Sequence, residues 1–316
     1  MSHIKELSKN TKIGKYRVDY LIGCGGFGHV YKVTDTTTNQ SLALKTEQKN
    51  LETSFLKNEL ECLSHLNDPC FPIVRDQGQY KNFNYYVMNV YGLSIHALHQ
   101  INKLDLNMTL PICYKMFTVI QTLHQHGYIH RDIKPSNYLL QQSQSDPFVL
   151  VDFGLALQYL DPNTNKPIKI KDRRFAGTKK YASIFSLKHN QLGRRDDLIS
   201  WVYSTVEVIT GSLPWSPCEN EDELVAVKEK TTPEELCKDV PERIRKVYKY
   251  LLTLSEDECP AYSKIDRYLQ KALTENNIDL ESINWQCLYI ANADLEAICS
   301  SQKARKAKKD GECIID

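Results

Sequence analysis

His130-Arg131-Asp132-Ile133-Lys134-Pro135-Ser136-Asn137 is followed, fifteen residues after Asn137, by Asp152-Phe153-Gly154. Phosphoryl transfer needs a carboxylate to orient the attacking hydroxyl and take its proton, a cation beside the migrating group, and oxygen ligands for Mg²⁺. Asp132, Lys134 and the pair Asn137 and Asp152 offer these in turn. Upstream, Gly23-Cys24-Gly25-Gly26-Phe27-Gly28-His29-Val30 fits G-x-G-x-x-G-x-V, whose glycines let a hairpin press its N–H groups against phosphate oxygens. Alone, such a stretch is equally a plain turn. A dinucleotide site would need the glycines to open a helix, whereas these run into a strand from Val30 to Val33, so that alternative fails. Seventeen residues past Gly28, Ala43-Leu44-Lys45 ends an apolar strand with a lysine suited to nucleotide phosphates. Without a carboxylate to hold it, Lys45 would be a solvated edge residue. Glu59 is the first candidate for that partner and Glu61 the fallback.

The elements that must position these groups follow from the spacing of apolar residues. Strand-like runs at 16–22, 29–33, 41–45 and 85–90 alternate with Gly-rich and Thr/Asn-rich turns. Between them, Phe55, Leu56, Leu60, Leu63 and Leu66 recur at helical spacing, which embeds one helix in an antiparallel sheet. From Ser94 onward helical patterns dominate, at 110–126, 197–210, 242–254 and 262–273, with short strands near 129, 138–140 and 148–151. The expectation is an α+β chain: an N-terminal extension over 1–15, a small lobe over 16–91, a mainly helical lobe over 92–295 and a basic, disordered tail over 296–316.

In this order the motifs resemble those of eukaryotic protein kinases. The resemblance covers residues 16–293 and implies a bilobal fold with ATP and Mg²⁺ in the cleft between lobes. It makes Ile22 and Val30 the roof over adenine, Ala43 a residue packed on it, Leu139 the floor, Met88 the gatekeeper, and Asn89, Val90 and Tyr91 the hinge. Gly23, Cys24, Gly25, Gly26, Phe27 and Gly28 then cover the phosphates, Thr178 bonds beside Asp132 and Lys134, and Asp197 anchors the catalytic-loop backbone. Lys134, two residues after Asp132, is similar to serine/threonine kinases. Gly177-Thr178-Lys179-Lys180-Tyr181-Ala182-Ser183-Ile184 and Gly193-Arg194-Arg195-Asp196-Asp197-Leu198 stand where most kinases have Ala-Pro-Glu and its surroundings. They resemble the casein kinase 1 group, as do Gly211-Ser212-Leu213-Pro214-Trp215 and Pro260-Ala261-Tyr262-Ser263. Phe185, Ser136 and the stretch Val90-Tyr91-Gly92-Leu93-Ser94 depart from that group's usual residues, which leaves casein kinase 1 proper, tau-tubulin kinases and vaccinia-related kinases open as branches. The implied activity is transfer of the γ-phosphoryl group of Mg-ATP to Ser or Thr of proteins. The rival is a kinase-fold scaffold or pseudokinase, and the joint presence of Lys45, Asp132, Asn137 and Asp152 favours the enzyme.

Ten Lys or Arg residues, among them Lys179, Lys180, Arg194 and Arg195, lie between Lys166 and Arg195 against the single acid Asp172. A positive field on the peptide platform predicts acidic or already phosphorylated protein substrates; a solvated basic loop is the plainer alternative. A nucleic-acid groove, which would interleave base-stacking aromatics with the charges, is the less expected reading. Over the whole chain 40 basic residues meet 39 acidic ones, so overall charge selects no partner. No apolar run approaches the roughly 18 residues of a membrane span, and charges occupy the start where a signal peptide needs apolar residues. These features predict a cytoplasmic monomer, with nuclear import open through the basic segments. The ten cysteines, without Cys-x-x-Cys spacing, read as free thiols, and His124, His126 and His130 as structural rather than metal-binding. Cys313-Ile314-Ile315-Asp316 has prenylation spacing, but Asp is a disfavoured last residue and an ordinary charged tail is expected.

Overall fold

The computed structural model describes residues 6–25, 28–49, 53–101, 104–143, 145–161, 164, 166, 168, 175–288 and 314–315. Its N-terminal lobe is a six-stranded antiparallel sheet of β1 (Lys12–Ile13), β2 (Tyr16–Gly25), β3 (Gly28–Asp35), β4 (Ser41–Gln48), β5 (Asp76–Tyr80) and β6 (Phe83–Asn89), in the order β1-β2-β3-β4-β6-β5. The sheet therefore starts at Lys12, inside the stretch expected to be an extension. The two short strands β1 and β5 have no strong apolar alternation, and pairing with β2 and β6 creates them.

Period-two alternation in the central strand β4 sorts the lobe into two faces. Leu42 and Leu44 join Tyr16, Val18, Tyr31, Val33 and Val87 in an outer core, while Ala43 points to the main core with Tyr86 and Met88. Lys45 shares the Ala43 face, and the β4–β6 register sets Ala43 opposite Met88 and Lys45 opposite Tyr86. Against this face packs α1 (Phe55–His65), which starts where the Ser54 hydroxyl accepts the Lys57 N–H at 3.2 Å and buries Leu56, Glu59, Cys62 and Leu63.

The second lobe is mainly helical: α2 (Ile95–Ile101), α3 (Leu106–Gln125), α4 (Ile184–Leu187), α5 (Arg194–Thr210), α6 (Glu221–Lys230), α7 (Pro233–Leu236), α8 (Glu242–Leu251) and α9 (Tyr262–Glu275). Its axis is α5, buried along nearly its whole length, with Trp201 Nε1 donating to the Cys113 carbonyl of α3 at 2.9 Å. Short pairs frame the site: β7 (Tyr128–Ile129) with β10 (Leu157–Gln158), and β8 (Tyr138–Leu140) with β9 (Phe148–Leu150). A third joins β11 (Ala176–Gly177) to β12 (Ile314–Ile315). Apart from Ile314–Ile315, the tail expected to be disordered lies outside the described residues, as do Gly26 and Phe27. The eight described cysteines are free thiols, with Cys62, Cys70, Cys113 and Cys237 buried and Cys24 exposed.

Candidate active site

Strand β4 delivers Lys45 and helix α1 delivers Glu59 to one buried point, where Lys45 Nζ lies 2.6 Å from Glu59 Oε2 and 2.8 Å from Asp152 Oδ1. Glu59 rather than Glu61 is thus the partner. Burial disfavours every charge here, yet the Asp152 and Glu59 carboxylates hold Lys45 well above the usual lysine pKa. At Asp152 burial pushes upward, but the pull of Lys45 wins and leaves the carboxyl below its ordinary value. At Glu59 burial prevails over Lys45 and raises the carboxyl. Glu59 Oε1 also accepts the Tyr86 hydroxyl at 3.1 Å and the Phe153 N–H at 3.2 Å, and Asn58 Nδ2 donates to the Gly154 and Ala156 carbonyls at 3.0 and 2.9 Å. The Phe153 ring sits edge-on between His130 and Phe71, at centroid distances of 5.0 and 5.7 Å. Helix α1, Lys45 and the Asp152 segment are therefore locked as one unit. Asp152 itself takes a left-handed conformation, φ 72°, an outlier that tight side-chain bonding must sustain.

The catalytic-loop residues are held from beneath. Asp197, at the start of α5, accepts the His130 N–H at 2.7 Å and the Arg131 N–H at 2.9 Å, and His124 Nε2 lies 3.0 Å from it. His130 Nε2 lies 3.1 Å from the Val151 carbonyl while its Nδ1 accepts the Asp132 N–H at 3.2 Å; burial lowers the pKa of this imidazole, and the neutral tautomer protonated at Nε2 satisfies both contacts. Asp132 Oδ2 lies 2.6 Å from Lys134 Nζ, which also donates to Thr178 Oγ1 at 2.8 Å. Asn137 Nδ2 donates to the Asp132 carbonyl at 2.9 Å. That bond leaves the Asn137 amide oxygen, like the Asp152 carboxylate, as a hard donor of the kind Mg²⁺ takes together with phosphate oxygens. No cluster of three or more His, Cys, Asp or Glu residues suited to a metal occurs among the described residues.

The Gly-rich hairpin pairs Gly23 with Val30, Cys24 with His29 and Gly25 with Gly28. At Gly28, φ is +127° and a Cβ would lie 1.9 Å from the Thr46 carbonyl oxygen, so only glycine lets β3 pass this close to β4. Ile22, Val30, Val90 and Tyr91 pack half-buried against the main core that contains Ala43 and Met88. Asn89 Oδ1 accepts Arg75 Nε at 3.2 Å, and Leu139 forms an antiparallel bridge with Ser94.

The basic platform is organised differently from a free anion site. Lys179 pairs with Glu221, Lys180 with Glu207 and Lys188 with Glu229. Arg194 reaches Cys259 Sγ at 3.2 Å, and buried Arg195 lies over the Phe185 ring, 3.8 Å from its centroid, and donates to the Leu254 carbonyl. Carboxylates from α5 and α6, distant in sequence, thus answer three of the ten basic residues. Lys169, Lys171, Asp172, Arg173 and Arg174 lie outside the described residues. Sequence reasoning missed Glu47, Asn58, Tyr86, Glu207 and Lys228. For Glu47 a signal exists, since strand periodicity puts it on the Lys45 face; the others are recognisable only from their partners.

Residues 16–270 match the family model described as protein kinase domain. The chain is 31% identical over 268 residues to a "probable serine/threonine-protein kinase" of Dictyostelium discoideum, which covers 83% of this chain but 54% of that protein; this chain spans about half the length of that relative. It is 29% identical over 286 residues to a "probable casein kinase I homolog" of Encephalitozoon cuniculi, covering 86% of this chain and 93% of that protein. With the matched span over most of its length, Lys45 bonded to Glu59 and Asp152, and Asp132 bonded to Lys134 and Asn137, the chain belongs to the protein kinase domain family.

Proposed function

We propose that the chain is an active serine/threonine protein kinase of casein kinase 1 type, which moves the γ-phosphoryl group of Mg-ATP to protein hydroxyls. The observation that carries this is the coupling of Lys45 to both Glu59 and Asp152, at 2.6 and 2.8 Å, together with the bond between Asp132 and Lys134. Asp132 orients the acceptor hydroxyl and takes its proton; Lys134 places positive charge beside the migrating group, steadied by Thr178. Lys45 holds nucleotide phosphates under the loop from Gly23 to Gly28, while Ile22, Val30, Ala43, Met88, Leu139 and the 89–91 hinge enclose the base. Asn137 and Asp152 fit Mg²⁺ by their oxygen donors, and the ion would neutralise phosphate charge there. A scaffold without turnover has no need to keep Lys45, Asp132, Asn137 and Asp152 together.

Protein substrates with acidic or phosphorylated stretches are the proposed class, supported by the ten basic residues between Lys166 and Arg195. Such a substrate has to draw Lys179 and Lys180 away from Glu221 and Glu207, which limits the gain. Among the described residues no helix is long and apolar enough to cross a membrane; a cytoplasmic monomer, with nuclear import through its basic segments, completes the proposal. The test is labelled phosphate transfer from Mg-ATP to casein and to matched acidic, phosphorylated and neutral Ser/Thr peptides. Label on phosphoserine or phosphothreonine is expected, fastest with acidic or phosphorylated peptides. ATP binding without transfer, or label on tyrosine, would overturn it.

A further inference from the structure

Helix α6 buries a single side chain, and it is a lysine: Lys228 is 5% exposed while its apolar neighbours Leu224, Val225 and Val227 are only half-buried. Lys228 Nζ donates to the Lys179 carbonyl and to the Ala182 carbonyl, both at 2.7 Å. It also lies over two aromatic faces, 5.0 Å from the Tyr203 centroid and 4.8 Å from that of Trp215. Two carbonyl dipoles and two π faces make a site for a cation or a strong donor. Burial alone holds this lysine well below its usual pKa, and a neutral amine still has the two N–H groups that the carbonyls need.

Both bonds fall on one turn of the activation segment. Trp215 Nε1 donates to the intervening Lys180 carbonyl at 2.7 Å, so three of the four carbonyls from Lys179 to Ala182 are held by side chains of α6 and the turn before it. The other end of this turn is Thr178, whose carbonyl accepts the Tyr181 and Ala182 N–H groups at 2.9 and 3.0 Å. Thr178 Oγ1 in turn meets Lys134, and Lys134 meets Asp132. A continuous path of bonds therefore runs from Lys228 through the turn to the proton-accepting carboxylate. A packing residue at this position would be served as well by leucine or methionine, which carry no polar group into the core.

We infer that Lys228 is a positioning residue for the acceptor peptide: it fixes the 178–182 turn that presents substrate to Asp132. This rests on the kinase reading, since the peptide is taken to lie along that turn. Lys228→Met keeps the length of the side chain and removes its donors. Its expected effect is a loss of about tenfold in kcat/KM for a peptide, carried mostly by the peptide KM, with the KM for ATP within about twofold of wild type. Lys228→Arg, which restores the N–H donors, is expected to recover part of the loss. An unchanged peptide KM in Lys228→Met, or equal losses for peptide and ATP, would overturn the inference. The unaltered protein offers a second measurement should Lys228→Met not fold. In protein labelled with ¹⁵N-lysine, the Lys228 Nζ resonance is expected to shift on adding peptide and to stay in place on adding ADP; indifference to peptide would overturn the inference. A wild type that transfers phosphate to no peptide would refute the kinase reading instead, and the titration would still decide the role of Lys228.

Discussion

Replacing Glu47 tests whether α1 is held in place by the strand that carries Lys45. Glu47 is 1% exposed and lies two residues after Lys45 on β4. Its Oε1 accepts the Phe55 and Leu56 N–H groups at 2.7 and 3.0 Å, and its Oε2 the Ser54 hydroxyl at 2.5 Å. The two N–H groups are otherwise unpaired donors at the start of α1, and the carboxylate also meets the positive end of the helix dipole. Glu47→Ala leaves three donors without an acceptor, one of them buried. At about 1–3 kcal/mol for a buried orphan and less for the two half-exposed ones, the loss should be about 3–5 kcal/mol. Glu47→Gln keeps an oxygen for the two N–H groups and forfeits mainly charge, so about 1 kcal/mol is expected. Urea unfolding gives both values, and steady-state kinetics should show a raised KM for ATP, because α1 carries Glu59 to Lys45. A Glu47→Ala variant within 1 kcal/mol of wild type and with an unchanged KM for ATP would refute this reasoning.

Gly177→Ala should unfold more easily by about 1–3 kcal/mol from backbone strain, with a further loss from collision: φ is +123° and the new Cβ would lie 2.6 Å from the Arg131 carbonyl oxygen. Unchanged urea stability would contradict the placement of β11 against the catalytic loop. Burial pushes the Asp196 carboxyl up to about 6, against its bonds from Ser183 and Gly193. The folded protein therefore holds this proton more tightly than the unfolded chain, and stability from this group falls as pH rises from about 4 to about 6, by about 3 kcal/mol in full. The stability difference between wild type and Asp196→Asn should change by that amount across the window; a constant difference counts against it. Glu207→Gln, which keeps an acceptor for the Tyr181 hydroxyl but frees Lys180 from its counter-charge, should raise the kcat/KM ratio of phosphorylated over unphosphorylated peptide by a few-fold, roughly 1 kcal/mol. No change in the ratio would exclude Lys180 from substrate recognition.

The groups proposed for catalysis stand out in the sequence because phosphoryl transfer fixes both residue type and spacing, and the long elements because their apolar periodicity is strong. Helix α1 coincides to within a residue with the stretch from Phe55 to Leu66, since Leu56, Leu60 and Leu63 recur at helical spacing. Helix α5 begins at Arg194, three residues before the apolar pattern suggested, because Asp196 accepts the Gly193 N–H at 2.8 Å and starts the helix early. Strands β1 and β5 owe their existence to neighbours rather than to their own pattern. Charge was the least transferable signal. Counting lysines between Lys166 and Arg195 could not reveal that Glu207, Glu221 and Glu229, tens of residues away, would come to neutralise three of them. Lys228 was invisible for a related reason, since a lysine in an acidic, amphipathic stretch reads as a solvated residue until Tyr203, Trp215 and two carbonyls surround it.

The central claim is that Asp132 acts on the acceptor hydroxyl while Lys45 and Asp152 serve the nucleotide. Asp132→Asn separates the two, because Asn137 bonds the Asp132 backbone carbonyl, which the substitution leaves in place. Transfer rate and ATP affinity measured side by side on this variant should show kcat reduced by about 10² or more with the dissociation constant for Mg-ATP nearly unchanged. An Asp132→Asn variant that transfers phosphate at the wild-type rate would contradict the account.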